Sequence, residues 1–159
     1  MRLELIHPML VHFPIALLST GVILRFIAIW TAKREKFSFI LPASWLILTL
    51  GVIAAWLTVL AGGIAADIVA PSLENTDLLN HHATLAYRTA IGFTIGLFVD
   101  LFRAFLWSYW QKKNWFVRKG LAIVFSLLYL FSLTNLIITG DYGATLVYEE
   151  GAAIEKKTE

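Results

Sequence analysis

Residues 37–66 contain no Asp, Glu, Lys, Arg or His. An uncharged run of that length is far longer than the apolar segments that a small soluble domain buries. It is long enough to cross a bilayer with tilt, since a spanning helix needs roughly 20 apolar residues. Three further stretches have the same character. Residues 9–31 are broken only by Arg25 before their end, residues 83–110 carry Arg88, Asp100 and Arg103, and residues 120–139 are uncharged. The whole chain is 58% hydrophobic with a mean hydropathy of +0.73. A soluble chain of this size must cover its surface with polar groups, so that balance excludes one. The expectation is an all-α, integral membrane four-helix bundle forming a single domain, with residues 140–159 as a tail outside the bilayer.

Charge placement orients the bundle. The connection after the first span holds Lys33, Arg34 and Lys36, and the one after the third holds Lys112, Lys113, Arg118 and Lys119. The connection over residues 67–82 has Asp67, Glu74 and Asp77 but no Lys or Arg. The positive-inside rule therefore predicts an N-out/C-out protein of a bacterial inner membrane, both termini periplasmic. Trp30, Trp45, Trp107, Trp110 and Trp115 fall near the predicted cytoplasmic interface, as an aromatic belt would. The net charge of +2 gives no footing for nucleic acid, and the absence of cysteine excludes disulfides, c-type haem attachment, iron–sulfur clusters and thiolate metal sites. No cleavable signal peptide is apparent, and no catalytic triad or phosphate loop is present.

That topology gives the histidines their meaning. The four are His7, His12, His81 and His82. The first pair opens span one and the second opens span three, and both spans start on the same side. All four are therefore predicted at one membrane face, at similar depth. At 100° per residue His12 shares its face with Ala16 and Ser19, which places it toward the bundle interior. His7 precedes Pro8 and is expected outside the regular helix. Pro14 either breaks the helix, freeing the Leu10 carbonyl, or lies in its first turn with His12 near the cap. On span three, Gly92 and Gly96 fall between the directions of His81 and His82, and Arg88 lies below His81. Span two carries a stripe of Gly51, Ala55, Thr58, Gly62 and Ala65, and residues 140–144 are also small. Close helix packing explains these small residues fully. They also leave room for a planar ligand opposite the histidines.

Histidine inside a membrane segment is costly and points to function. Two imidazoles from different helices are the axial ligand set of b-type haem, and the preferred pair is His12 and His82. His7 and His81 are alternates, with Arg88 available to a haem propionate. The reading is a haem protein transferring electrons at the periplasmic side, an oxidoreductase or electron-transfer subunit, with a redox partner or quinone in the membrane. A copper or zinc ion held by the same cluster with Asp67, Asp141, Glu149 or Glu150 is the alternative. A quinone or small-molecule site and a purely structural subunit remain open beside it. Homo-oligomerisation through Gly92 and Gly96 is open as well. Arg25 is expected to snorkel to the inner interface, and Asp100 and Arg103 to pair along one helix.

The stretch HPMLVHFPIAL over residues 7–17 resembles the opening of a large bacterial family of four-helix membrane proteins, the domain of unknown function 2231 family. Residues 62–67, the His82-Ala83 step and GDYGATLVYEEGAAI over residues 140–154 are similar to further segments of that family. The resemblance implies the four-helix fold and the importance of His7, His12 and His82. Members fused to cytochrome-like or iron–sulfur redox domains imply a haem or electron-transfer role. Members often carry a histidine in the last motif where this chain has Glu150.

Overall fold

A computed structural model describes residues 3–73, 75–109 and 115–153. A 3-10 turn, Leu3–Leu5, leads into α1 (Ile6–Leu10) and α2 (His12–Trp30). A second 3-10 turn, Glu35–Phe37, connects to α3 (Ile40–Val69), and a third, Ala70–Ser72, follows it. Then come α4 (Asp77–Tyr109) and α5 (Trp115–Tyr148). Among the described residues four helical segments are long and apolar enough to cross a membrane: Leu3–Trp30, Glu35–Ser72, Asp77–Leu106 and Lys119–Tyr148. The expected all-α four-helix architecture is the one found. Trp110 and Glu74 lie outside the described residues, and the side chains of Trp107 and Trp115 are not described.

Local chemistry sets the helix ends. Pro14 has no N–H for the Leu10 carbonyl, and the helix is interrupted at the single residue Val11. Pro14 is thus in the first turn of α2, where a proline is tolerated. His7, expected outside any helix, lies within α1. At the start of α4 the Asn75 side-chain oxygen accepts the Asp77 N–H at 2.8 Å, an Asx turn that opens the helix. The sequence-based boundary at residue 139 is nine residues short. Helix α5 runs on through the small residues to Tyr148. Gly151 then takes φ +69°, and the Ala152 N–H returns to the Leu146 carbonyl at 2.9 Å, closing the helix end. The Leu-Val-Tyr-x-x-Gly motif is a helix stop, and Glu150 is exposed beside it.

The outer surface is apolar, unlike that of a soluble bundle. Phe13, Leu46, Leu60, Phe98, Phe105, Leu127 and Ile137 point outward, while Arg25, Ser44, Thr58, Thr89, Asp100, Ser132 and Asn135 are buried. Hydrocarbon on the outside is what a bilayer solvent selects, and these polar groups lie among an apolar core of Leu18, Leu48, Phe93, Phe125 and Tyr129. Helix α2 packs chiefly on α3 and α4 on α5, so the bundle is two helical hairpins. A Cβ on Gly21 would sit 2.7 Å from Leu48, and one on Gly51 would sit 2.8 Å from Leu18. Each helix of the first hairpin therefore seats a leucine in the other's glycine notch. In the second hairpin Gly92 faces the Ser132 hydroxyl, and a Cβ on Gly96 would lie 3.0 Å from the Tyr129 ring. The Gly92–Gly96 face serves the α4–α5 contact.

Arg25 does not snorkel. It is 1% exposed, and its guanidinium forms a two-point ion pair with Asp100 on the other hairpin. Trp45 Nε1 donates to the same carboxylate at 3.0 Å, and Arg103, the expected partner, approaches at 3.5 Å. A partner of opposite charge lies within reach at the same depth, so pairing replaces the longer route to water.

Candidate functional site

At the other end of the bundle, His7 and His82 meet edge to face. Their ring centres are 6.1 Å apart and their planes 88° apart. His7 comes from α1 and His82 from α4, so the contact joins the two hairpins. His7 Nδ1 lies 3.0 Å from the Thr58 carbonyl on α3, and His82 Nδ1 lies 3.0 Å from the Thr139 carbonyl on α5. A carbonyl only accepts, so both Nδ1 atoms carry the proton. In the neutral ring this leaves the lone pair on Nε2, the nitrogen that can take a metal or a ligand hydrogen.

Glycine makes the seats. A Cβ on Gly62 would be 3.0 Å from His7 Cε1 and Nδ1, and one on Gly143 would be 3.1 Å from His82 Cε1. Each glycine follows by one turn the threonine whose carbonyl is used. The imidazoles can therefore reach helix backbone that already serves an intrahelical bond. The small residues of α3 and α5 here hold the imidazole rings, the role the sequence reading gave to a planar ligand.

The remaining candidates separate from this pair. His12, expected in the interior, is exposed, and its Nδ1 is bound to the Pro8 carbonyl at 3.0 Å. Val11 keeps helical dihedrals, and His12, five residues on from His7, lies about 140° round the helix from it, so with His7 turned inward His12 faces out. His81 is exposed and packs at a tilt of 42° against Tyr142, with ring centres 4.9 Å apart. Arg88 is exposed on α4. Among the described residues no group of three or more His, Asp or Glu side chains is placed to hold a metal ion.

The two hairpins repeat each other, which the sequence reading missed. Arg25 and Asp100 are 75 residues apart, and so are His7 and His82 (82 − 7), Gly21 and Gly96, and the buried pairs Leu18–Phe93 and Val22–Leu97. In the returning helices Thr58 and Thr139, Gly62 and Gly143, and Leu48 and Tyr129 are each 81 apart (139 − 58). Gly21 on Leu48 and Gly96 on Tyr129 are the same contact twice. Equivalent residues that touch each other lie on an approximate two-fold axis, as His7–His82 do at one end and Arg25–Asp100 at the other. Eighteen helical residues separate them, about 27 Å, close to the hydrocarbon thickness of a bilayer. The spacing of His, Gly and the ionised residue in the two halves carried this signal; substituted side chains hid it.

These features define a four-span helical membrane protein built from two like hairpins, with an imidazole pair on the axis. The chain belongs to the predicted membrane protein family DUF2231, whose model matches residues 4–156. Comparisons with curated proteins and with solved structures return no match.

Proposed function

We propose that this protein holds a b-type haem between His7 and His82 and transfers electrons at that end of the membrane. The observation that carries the reading is the pair of imidazoles, from different hairpins, each locked through Nδ1 to a carbonyl with Nε2 left over. His7 and His82, from different hairpins and with ring centres 6.1 Å apart, are the residues that would hold the iron. Haem needs only two protein nitrogens, because the porphyrin supplies the other four. Zinc takes four ligands, which two imidazoles cannot supply. With the basic connections in the cytoplasm, the histidine end faces the periplasm of a bacterial inner membrane.

The test is the absorption spectrum of protein purified after haem-replete expression. A Soret band that shifts on dithionite reduction and disappears in His7→Ala supports the reading. No Soret band, or one unchanged in both His7→Ala and His82→Ala, overturns it. Copper found by elemental analysis without porphyrin absorption would replace haem with a two-coordinate metal ion.

A further inference from the structure

The approximate two-fold axis makes two seams between the hairpins equivalent: α3 against α4, and α5 against α2. They are not equally closed, since α3 packs on α4 more extensively than α2 meets α5. Trp56 closes the first seam. Its Nε1 donates to the Thr94 hydroxyl oxygen at 3.1 Å, and its ring meets Tyr87 edge to face with centres 6.4 Å apart. The Thr94 proton goes to the Ala90 carbonyl, so the Thr94 oxygen is free to accept. Each of these residues has a counterpart in the second seam at the spacings of the repeat. Ile137 stands 81 residues after Trp56, while Ser19, His12 and Ile15 stand 75 residues before Thr94, Tyr87 and Ala90.

The second seam is open at the histidine end. Ile137 is 69% exposed and Ile15 41%, where Trp56 is half-buried and Ala90 is 1% exposed. A Cβ added to Gly140 would meet nothing within 4 Å, whereas its counterpart Val59 packs on the core. The two helices come together at the other end, where the Arg25 guanidinium lies 4.9 Å from the Phe125 ring centre. Two polar groups on α2 are accessible along the open stretch. His12 is exposed, and with its Nδ1 on the Pro8 carbonyl its Nε2 carries a lone pair. Ser19 follows two turns later, about 20° round the helix. It is half-buried, and its hydroxyl has no hydrogen-bond partner among the described residues. Isoleucine in place of tryptophan leaves both groups without the ring and the donor that cover Tyr87 and Thr94.

We propose that the open seam between α2 and α5 binds a lipid-soluble quinol. Its ring takes the place that the Trp56 indole has in the closed seam, against Ile15, Ile137 and the edge of His12. One hydroxyl donates to the Ser19 oxygen, as Trp56 Nε1 does to Thr94. The occupant is read from the closed seam, which an aromatic ring with a donor of its own fills. In the open seam that ring comes from the bilayer, because Ile15 and Ile137 are exposed on the surface that faces lipid. Quinols are the membrane-soluble molecules that carry an aromatic ring with a hydroxyl on it. A phospholipid acyl chain has neither. The binding does not depend on the haem reading above.

The test titrates decylubiquinol, kept reduced under anaerobic conditions, into full-length protein in nanodiscs of quinone-free phosphatidylcholine, following saturable quenching of tryptophan fluorescence. Ser19→Ala removes the acceptor and weakens binding about fivefold, the worth of one neutral hydrogen bond. Ser19→Thr keeps the hydroxyl and keeps the affinity. Ile137→Trp installs the residue of the closed seam, raises the thermal midpoint and abolishes saturation. Phe131→Trp, exposed elsewhere on the same helix, changes neither. The proposal is overturned if quenching never saturates, or if either Ser19→Ala or Ile137→Trp binds as the parent does. Displacement by hexadecane as effective as by decylubiquinol also overturns it, since the seam then takes acyl chains only. So does a dimer that Ile137→Trp dissociates with no quinol bound to the parent, since a second copy then covers the seam. An intact, redox-active Soret band alongside failed quinol binding removes this inference and leaves the haem reading standing, and saturable quinol binding without a Soret band does the reverse.

Discussion

Arg25 and Asp100 are the same position of two repeated hairpins, and they meet on the axis between them as a fully buried ion pair. One repeat unit supplies the cation and the other the anion. Two identical side chains at that point would repel. The contact therefore requires that the hairpins differ, and it fixes them at one depth relative to each other.

Removing one partner leaves the other charged and unpaired inside the membrane. Asp100→Ala is expected to cost about 3–5 kcal/mol, read as a lower midpoint in thermal unfolding of the detergent-solubilised protein followed by tryptophan fluorescence. The double substitution Arg25→Met with Asp100→Leu is expected to recover most of that loss, because both desolvation penalties vanish together. A double variant as unstable as the sum of the two single ones would refute the pairing argument.

The histidines are expected to divide two and two. On the haem proposal, His7→Ala and His82→Ala lose the Soret band under haem-replete expression, while His12→Ala and His81→Ala retain it. The reason is geometric. His7 and His82 face each other with Nε2 free, whereas His12 and His81 are exposed and turned elsewhere.

Adjacent glycines are expected to behave oppositely. Gly62→Ala places a methyl group 3.0 Å from the His7 ring and should push the imidazole off the Thr58 carbonyl, which on the haem proposal weakens haem retention. Gly63→Ala meets nothing within 4 Å and should leave retention intact. Gly143→Ala and Gly140→Ala form the same contrast around His82. Haem content per protein after size-exclusion chromatography measures all four.

Glycines between helices and glycines facing outward should also separate by stability. Gly21→Ala overlaps Leu48 at 2.7 Å, and overpacking of that kind costs about 1–3 kcal/mol. Gly120→Ala meets nothing within 4 Å and is expected to stabilise α5 by up to about 1 kcal/mol, through the better helix propensity of alanine. Thermal midpoints of the two variants against the parent decide the matter.

The four spans were legible in the sequence because the bilayer imposes its constraint on each segment separately. A run of apolar residues such as 37–66 needs no knowledge of its neighbours to be recognised. The gathering of histidines at one end was legible for the same reason, since crossing the membrane four times leaves no other arrangement. Which histidines face inward was not. The 100° rule groups His12 with Ala16 and Ser19 but does not say which face the neighbouring helices cover. His7 lies about 140° round the helix from His12, and packing against α3 turned His7 inward.

By itself the sequence determined the number of membrane crossings, the end of the bundle that holds the imidazoles and the glycine positions that allow close approach. The pairing of His7 with His82 and of Arg25 with Asp100 was decided only in the tertiary structure. So were the lone-pair nitrogens of the two imidazoles and the unequal closing of the two seams between the hairpins. Hydropathy and helical phase act within a segment. A pair on a two-fold axis depends on how two hairpins of different sequence settle against each other, and that is fixed by contacts between residues 75 positions apart.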